Sequence, residues 1–79
     1  MYIIIGRTGC PYTERAKILV KTLSHKYYEI SSSSSEMNKY LQKRPSLHTT
    51  VPVCFYKTGT RTTFIGGCTE LEQYLKNKK

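Results

Sequence analysis

Apolar and polar positions along the 79-residue chain change period several times, and each change marks an element. Tyr2 to Ile5 is an unbroken apolar run with three consecutive β-branched residues, Ile3, Ile4 and Ile5. Such a run fits a short strand buried on both faces of a sheet. Gly6 to Gly9 reads as a turn-like loop. Pro11 then suits the first turn of a helix, where a missing N–H is no loss. Ala16, Leu19, Val20 and Leu23 recur at i, i+3, i+4 and i+7, which predicts a helix running to about Ser24. Lys26 to Ile30 reads as a second strand, with Tyr28 and Ile30 on one face. Ser33-x-x-Glu36 fits a capping box for a second helix, whose apolar stripe is Met37, Tyr40 and Leu41 and which ends before Pro45.

Ser46 to Thr50 reads as loop, and Val51-Pro52 opens a strand through Tyr56. Lys57 to Thr60, with Gly59, looks like a hairpin turn, and Thr62 to Ile65 is the return strand. Gly66-Gly67 breaks that strand, and Thr69 begins a last helix with Leu71, Tyr74 and Leu75 inward. The order is β-α-β-α-β-β-α. The first two strands, joined by a helix, should lie parallel through a right-handed crossover, and the last two form an antiparallel hairpin. The expectation is one α/β domain over 1–79: a mixed four-stranded sheet with helices on both faces.

A domain this small buries only about 60% of the surface its unfolded chain exposes, so its core must be compact. No run of about 18 apolar residues occurs, so a membrane span is not expected. Met1 leads directly into the first strand without a basic n-region or a long apolar stretch, so a secretory signal is not expected either. The three cysteines, Cys10, Cys54 and Cys68, fit neither a disulfide framework nor a zinc knuckle, and a reducing, cytoplasmic setting follows as the expectation. His25 and His48 have no metal spacing with any cysteine, so no metal site is expected. Net charge is +8, from 13 basic and 5 acidic residues, and all the acids are Glu. The basic residues are scattered, which disfavours a dedicated nucleic-acid stripe and suits a solvated surface or a small acidic ligand.

Chemistry concentrates at three places. Cys10 lies between a strand and a helix N-terminus, where free N–H groups and the helix dipole favour an anion. A thiolate is stabilised there and the thiol's pKa falls, with Arg7 in the same loop adding positive charge; the other reading is an inert cysteine at a helix start. Pro52, opening a strand after a loop, is either an ordinary trans proline or a cis one, and Val51 before it would be held extended. Its backbone could then pair with an extended ligand as a sheet edge does. In Gly66-Gly67-Cys68-Thr69-Glu70 the glycines permit close backbone approach, Thr69 can cap the last helix, and Glu70 can hold an ammonium group; routine turn and capping is the other reading.

Taken in order, Arg7-x-x-Cys10-Pro11-Tyr12, Thr50-Val51-Pro52 and Gly66-Gly67-Cys68-Thr69-Glu70-Leu71 closely resemble the glutaredoxin family. That family has Lys-x-x-Cys-Pro-Tyr-Cys, then Thr-Val-Pro, then Gly-Gly-Cys/Tyr/Phe-x-Asp-Leu. The resemblance spans Arg7 to Leu71 and implies a thioredoxin-like fold and a thiol oxidoreductase that uses glutathione as co-substrate. It implies Cys10 as nucleophile, Tyr12 beside bound glutathione, and Arg7 near the thiolate and the glycine carboxylate. It implies Val51, after Thr50, pairing with the cysteinyl part of the tripeptide, and Pro52 as the family's cis-proline. Gly67, Cys68, Thr69 and Glu70 match the segment that binds the γ-glutamyl end. His48, or else Lys43 or Arg44, falls where the family contacts the glycine carboxylate. The implied partners are glutathione and glutathionylated or disulfide-containing proteins, with the chain a monomer.

Three departures matter: Arg7 for Lys, Glu70 for Asp, and Thr13 for the second cysteine of the motif. Thr13 decides the mechanism. It lies one helical turn beyond Cys10, where a resolving thiol would sit. A hydroxyl cannot attack a mixed disulfide and can at most hydrogen-bond the thiolate, so a one-thiol route is expected. Cys68, near the glutathione segment, is a poor substitute because bridging has strict distance limits. Cys54, mid-strand, reads as a small buried hydrophobe. Two rivals stand beside this reading. Single-thiol relatives can carry an iron–sulfur cluster between subunits, but usually with Gly-Phe-Ser after the cysteine, where this chain has Pro11 and Tyr12. The chain could also be an interaction module that kept the fold and lost turnover. Thioredoxin itself is disfavoured: there is no Trp and no Cys-Gly-Pro-Cys.

Overall fold

A computed structural model describes residues 1–32, 34–45 and 51–77. Its elements follow the expected order: β1 (Tyr2–Gly6), α1 (Pro11–Leu19), β2 (His25–Glu29), α2 (Ser35–Leu41), β3 (Val53–Thr58), β4 (Arg61–Gly66) and α3 (Cys68–Asn77). The strands form one mixed sheet in the order β2-β1-β3-β4. β1 and β2 are parallel, while β3 runs antiparallel to both β1 and β4.

β1 is central and buried along its length, so its side chains serve both faces in alternation. Tyr2 and Ile4 face a layer containing Ala16 and Val20 from the α1 segment, Leu71 of α3, and Cys54 of β3. Ile3 and Ile5 face the opposite layer, with Met37 of α2 and Val53 and Phe55 of β3. Helices thus cover both faces. Each fully buried Ile or Phe contributes about 1.5–3 kcal/mol relative to exposure. Tyrosines extend both layers. Tyr2 lies 4.8 Å from Tyr56 and 6.3 Å from Tyr74, ring centre to ring centre. On the other face Tyr28, Tyr40, Phe55 and Phe64 stack in succession at 5.6–6.0 Å. They pack the core, as their strand and helix positions suggest.

Several boundaries differ from the sequence reading: β2 is His25–Glu29 rather than Lys26–Ile30, β3 runs from Val53 past Tyr56 to Thr58, and β4 is Arg61–Gly66 rather than Thr62–Ile65, and four further differences have a clear cause. Gly6 belongs to β1 and pairs with Glu29; a Cβ there would come within 2.5 Å of Thr13, so glycine lets the first turn of α1 lie against the strand. α1 stops at Leu19 and gives way to tight turns, Lys21 N–H to Ile18 C=O and Leu23 N–H to Val20 C=O. Tyr2 pairs with His25, so the chain must turn back directly after Val20 to enter β2, and Leu23 is left 40% exposed. The cap of α2 is Ser34, whose hydroxyl accepts from Met37 N–H at 3.2 Å. Glu36 Oε2 accepts from the Tyr28 hydroxyl and the Lys26 ammonium; Ser33, the cap that the sequence suggests, lies outside the described residues. α3 begins at Cys68, with Gly67 C=O accepting from Leu71 N–H, so Thr69 lies inside the helix and does not cap it. Cys54 is wholly buried, as expected of a mid-strand hydrophobe.

Candidate active site

Strand register gathers the three sequence segments at one end of the strands. β1 ends at Gly6; its neighbour Ile5 pairs with Val53 at the start of β3, and Cys54 pairs with Gly66 at the end of β4. The Arg7–Cys10 loop, Val51-Pro52 and the Gly66–Glu70 turn therefore meet at that end. The N-termini of α1 and α3 point there too, because each helix follows a strand that ends there and the two helices pack together.

Cys10 is the N-cap of α1, with extended backbone at φ −79° and ψ 122°. Its C=O accepts from Glu14 N–H at 3.0 Å and its N–H donates to Arg7 C=O at 3.1 Å, which fixes the sulfur at the mouth of the helix. The neutral thiol makes no capping hydrogen bond. Its pKa nevertheless lies below the ordinary value, because the free donors of the first turn favour the thiolate. Thr13 contributes most, first through its backbone N–H and then through its hydroxyl. Desolvation opposes, and Tyr12 N–H and the Arg7 charge add smaller effects. Arg7 is thus a minor contributor to the thiolate, and Thr13 is the major one.

Thr13 is wholly buried. Its Oγ1 accepts from Arg7 N–H at 3.2 Å, which leaves its hydroxyl hydrogen for the sulfur. Tyr12 is 64% exposed, so its ring is available beside Cys10. The Val51-Pro52 peptide bond is cis, with Pro52 fully buried and Val51 half-buried.

The last segment turns on Gly66, at φ +131°, a left-handed value that favours glycine. A bulge in the β3–β4 pairing precedes it: Phe55 faces Phe64 while Cys54 faces Gly66. Glu70 Oε1 accepts from Gly67 N–H at 2.8 Å, reaching back over the first turn of α3 as the acid of a capping box does. One oxygen of the expected ammonium partner is therefore already engaged. Thr69 and Glu70 are exposed, whereas Cys68 is buried and its thiol is pushed up by burial. Burial likewise pushes Cys54 up to about 12. All three cysteines are free thiols. Lys43 and Arg44 lie in the turn after α2, and His48 and Thr50 lie outside the described residues.

One group at this end of the sheet was missed by sequence reasoning. Glu29, at the end of β2, accepts from Thr8 N–H at 3.0 Å and from the Thr8 hydroxyl. In the sequence it is only an acid within a strand, and no motif marks it.

No protein-family model matches the chain. It is 33% identical to a glutaredoxin of Vibrio cholerae over 84 aligned positions, which take in 94% of this chain and 88% of that protein. The chain belongs to the glutaredoxin family. Solved structures agree. Reduced Escherichia coli glutaredoxin superposes with a TM-score of 0.76 at 30% identity, covering 98% of this chain and 94% of that one. A dithiolic glutaredoxin of Trypanosoma brucei brucei gives 0.68 at 27% identity, covering 95% and 76%. A glutaredoxin of Brucella melitensis gives 0.60 at 33% identity, covering 99% and 80%. The fold is accordingly the thioredoxin-like α/β fold of the family, and the protein is a thiol–disulfide oxidoreductase.

Proposed function

We propose that the protein reduces glutathione mixed disulfides by a one-thiol route through Cys10. One contrast carries the reading. Among the described residues Cys10 alone is a thiol with a lowered pKa at a helix mouth, while position 13 holds a buried hydroxyl and Cys54 and Cys68 are buried thiols pushed upward. The Cys10 thiolate attacks the glutathione sulfur of a protein–glutathione disulfide. The old S–S bond breaks, the protein thiolate leaves and takes up a proton, and a Cys10–glutathione disulfide forms. The thiolate of a second glutathione attacks that disulfide, releasing glutathione disulfide and the Cys10 thiolate. One free glutathione is oxidised for each mixed disulfide reduced, and the other half of the glutathione disulfide comes from the substrate. The Thr13 contacts also make Cys10 a good leaving group in this second step, since a low thiol pKa favours departure.

Glutathione binding follows the same reading. Arg7 receives the glycine end, together with His48, or else Lys43 or Arg44, and Thr50 belongs with Val51 to the same binding segment. Tyr12 flanks the sulfur, Val51 pairs with the cysteinyl backbone next to Pro52, and Gly67, Cys68, Thr69 and Glu70 receive the γ-glutamyl end. The second carboxylate oxygen of Glu70 is the acceptor for its ammonium group. A monomer acting in a reducing, cytoplasmic setting belongs to the same proposal. The test is mass spectrometry after exposure to glutathione disulfide: a single glutathione adduct on Cys10 is expected. An internal disulfide from Cys10 to Cys68 or Cys54 would overturn the one-thiol route.

A further inference from the structure

Glu29 gathers more donors than any other acid among the described residues. Its two oxygens lie 3.0 and 3.3 Å from Thr8 N, and one lies 2.5 Å from the Thr8 hydroxyl. The Tyr27 hydroxyl donates at 2.9 Å, and that of Ser31 reaches it at 3.5 Å. None of these donors is a cation, and no ion pair to Glu29 is formed among the described residues. Thr8 is exposed, and Gly9 beside it is in the left-handed region at φ +90°, so side-chain packing does not hold this loop. Among the described residues it is tied at three points: Arg7 N–H to Thr13 Oγ1, Cys10 N–H to Arg7 C=O, and Thr8 to Glu29. The first two ties lie on the α1 side. Glu29 supplies the one from β2.

We propose that Glu29 is a positioning residue: by gripping Thr8 it fixes the Arg7–Gly9 loop and so holds the Arg7 guanidinium beside Cys10 for the carboxylate of the bound tripeptide. The assignment of the tripeptide rests on the glutathione reading above; the grip itself does not. A direct charge effect and a grip have opposite signs. Removing a nearby negative charge favours a thiolate, whereas loosening the loop moves Arg7 away and disfavours it. Thr8→Val separates the two, because it removes the hydroxyl donor at constant charge.

The experiment compares wild type, Thr8→Val, Glu29→Gln and Arg7→Gln, with each of the first two variants also combined with Arg7→Gln. KM and kcat are measured with a glutathionylated peptide, and the pH profile of Cys10 alkylation is measured without glutathione. Thr8→Val and Glu29→Gln should each raise KM roughly fivefold with kcat nearly unchanged. Added to Arg7→Gln, either should contribute less than about twofold more, because the guanidinium it positions is gone. Thr8→Val should also move the alkylation midpoint slightly upward, since Arg7 adds only a small part of the thiolate's stabilisation, and should speed hydrogen exchange of the Thr8 and Gly9 amides. An unchanged KM, or losses that multiply fully with Arg7→Gln, would overturn the proposal, as would a lower melting temperature with KM and kcat intact. Unchanged hydrogen exchange at the Thr8 and Gly9 amides in folded Thr8→Val overturns the grip even if wild type turns over no glutathionylated peptide, an outcome that by itself would sink only the glutathione reading.

Discussion

At position 13 a hydroxyl stands where a second thiol would lie, and its surroundings decide what it does. It is buried, accepts from the loop backbone, and stabilises the Cys10 thiolate. Thr13→Val should therefore raise the Cys10 pKa, so that alkylation at neutral pH slows. It should also destabilise the fold by about 1–3 kcal/mol, because Arg7 N–H loses its acceptor; a pH profile of alkylation and a urea titration check the two parts. Cys54 gives the opposite case. Its thiol stays protonated in the folded state up to about 12 against an ordinary 9.0, so unfolding between those values releases a proton. The stability it contributes is complete below about 9 and is lost as pH rises toward 12. Cys54→Ala should flatten that part of the stability–pH curve measured by denaturant titration. The placement of Cys10 at a helix mouth, with Arg7 and Thr13 beside it, was legible at this scale because strand, loop, Cys-Pro and helix follow one another in the chain. Glu29 and the capping role of Glu70 were not, since each depends on a partner placed by the fold or by a helix start that the sequence left one residue uncertain.

Elements were legible where periodicity was strong and blurred where capping chemistry decided the ends. The run of serines before Glu36 offers several caps in succession, and the register of α2 against β2 selects Ser34 by drawing Glu36 to Tyr28 and Lys26. Ser34→Ala should then lower stability by about 1 kcal/mol, read as a shift in the urea midpoint. The turn into α3 is more demanding. A Cβ at Gly66 would lie 2.7 Å from Glu70 Cβ and Cγ, in a backbone region that side chains avoid. Gly66→Ala should destabilise by roughly 1–3 kcal/mol and should weaken activity as well, because Glu70 is displaced from Gly67 N–H. Thermal unfolding and a KM measurement test both halves; a fully stable Gly66→Ala would contradict the tight turn described here. The end of α1 shows the limit of periodicity. Leu23 keeps the helical spacing in sequence, yet the pairing of Tyr2 with His25 sets where the helix must stop.

For the molecule as a whole, topology was the most legible feature. Strand and helix patterns alternate clearly, and the parallel and antiparallel pairings follow from connection lengths. What the order alone could not supply is register, and register is what brings Gly6, Glu29, Val53 and Gly66 to one end of the strands. Charge is also distributed at this scale. All five acids are engaged: Glu14 with Lys17, Glu36 with Lys26, Glu72 with Arg15 and Lys76, Glu29 with Thr8, and Glu70 with Gly67 N–H. The surface that remains is basic and suits an anionic tripeptide, so kcat/KM for a glutathionylated substrate should fall as salt shortens the screening length below about 10 Å. The most direct measurement is the rate of glutathione-dependent reduction of a glutathionylated peptide, coupled to glutathione reductase, for the wild-type chain and for Cys10→Ser. Turnover by the wild type that vanishes in Cys10→Ser is the expected result. Turnover that survives in Cys10→Ser, or none from a folded wild-type chain, would contradict a one-thiol enzyme built around Cys10.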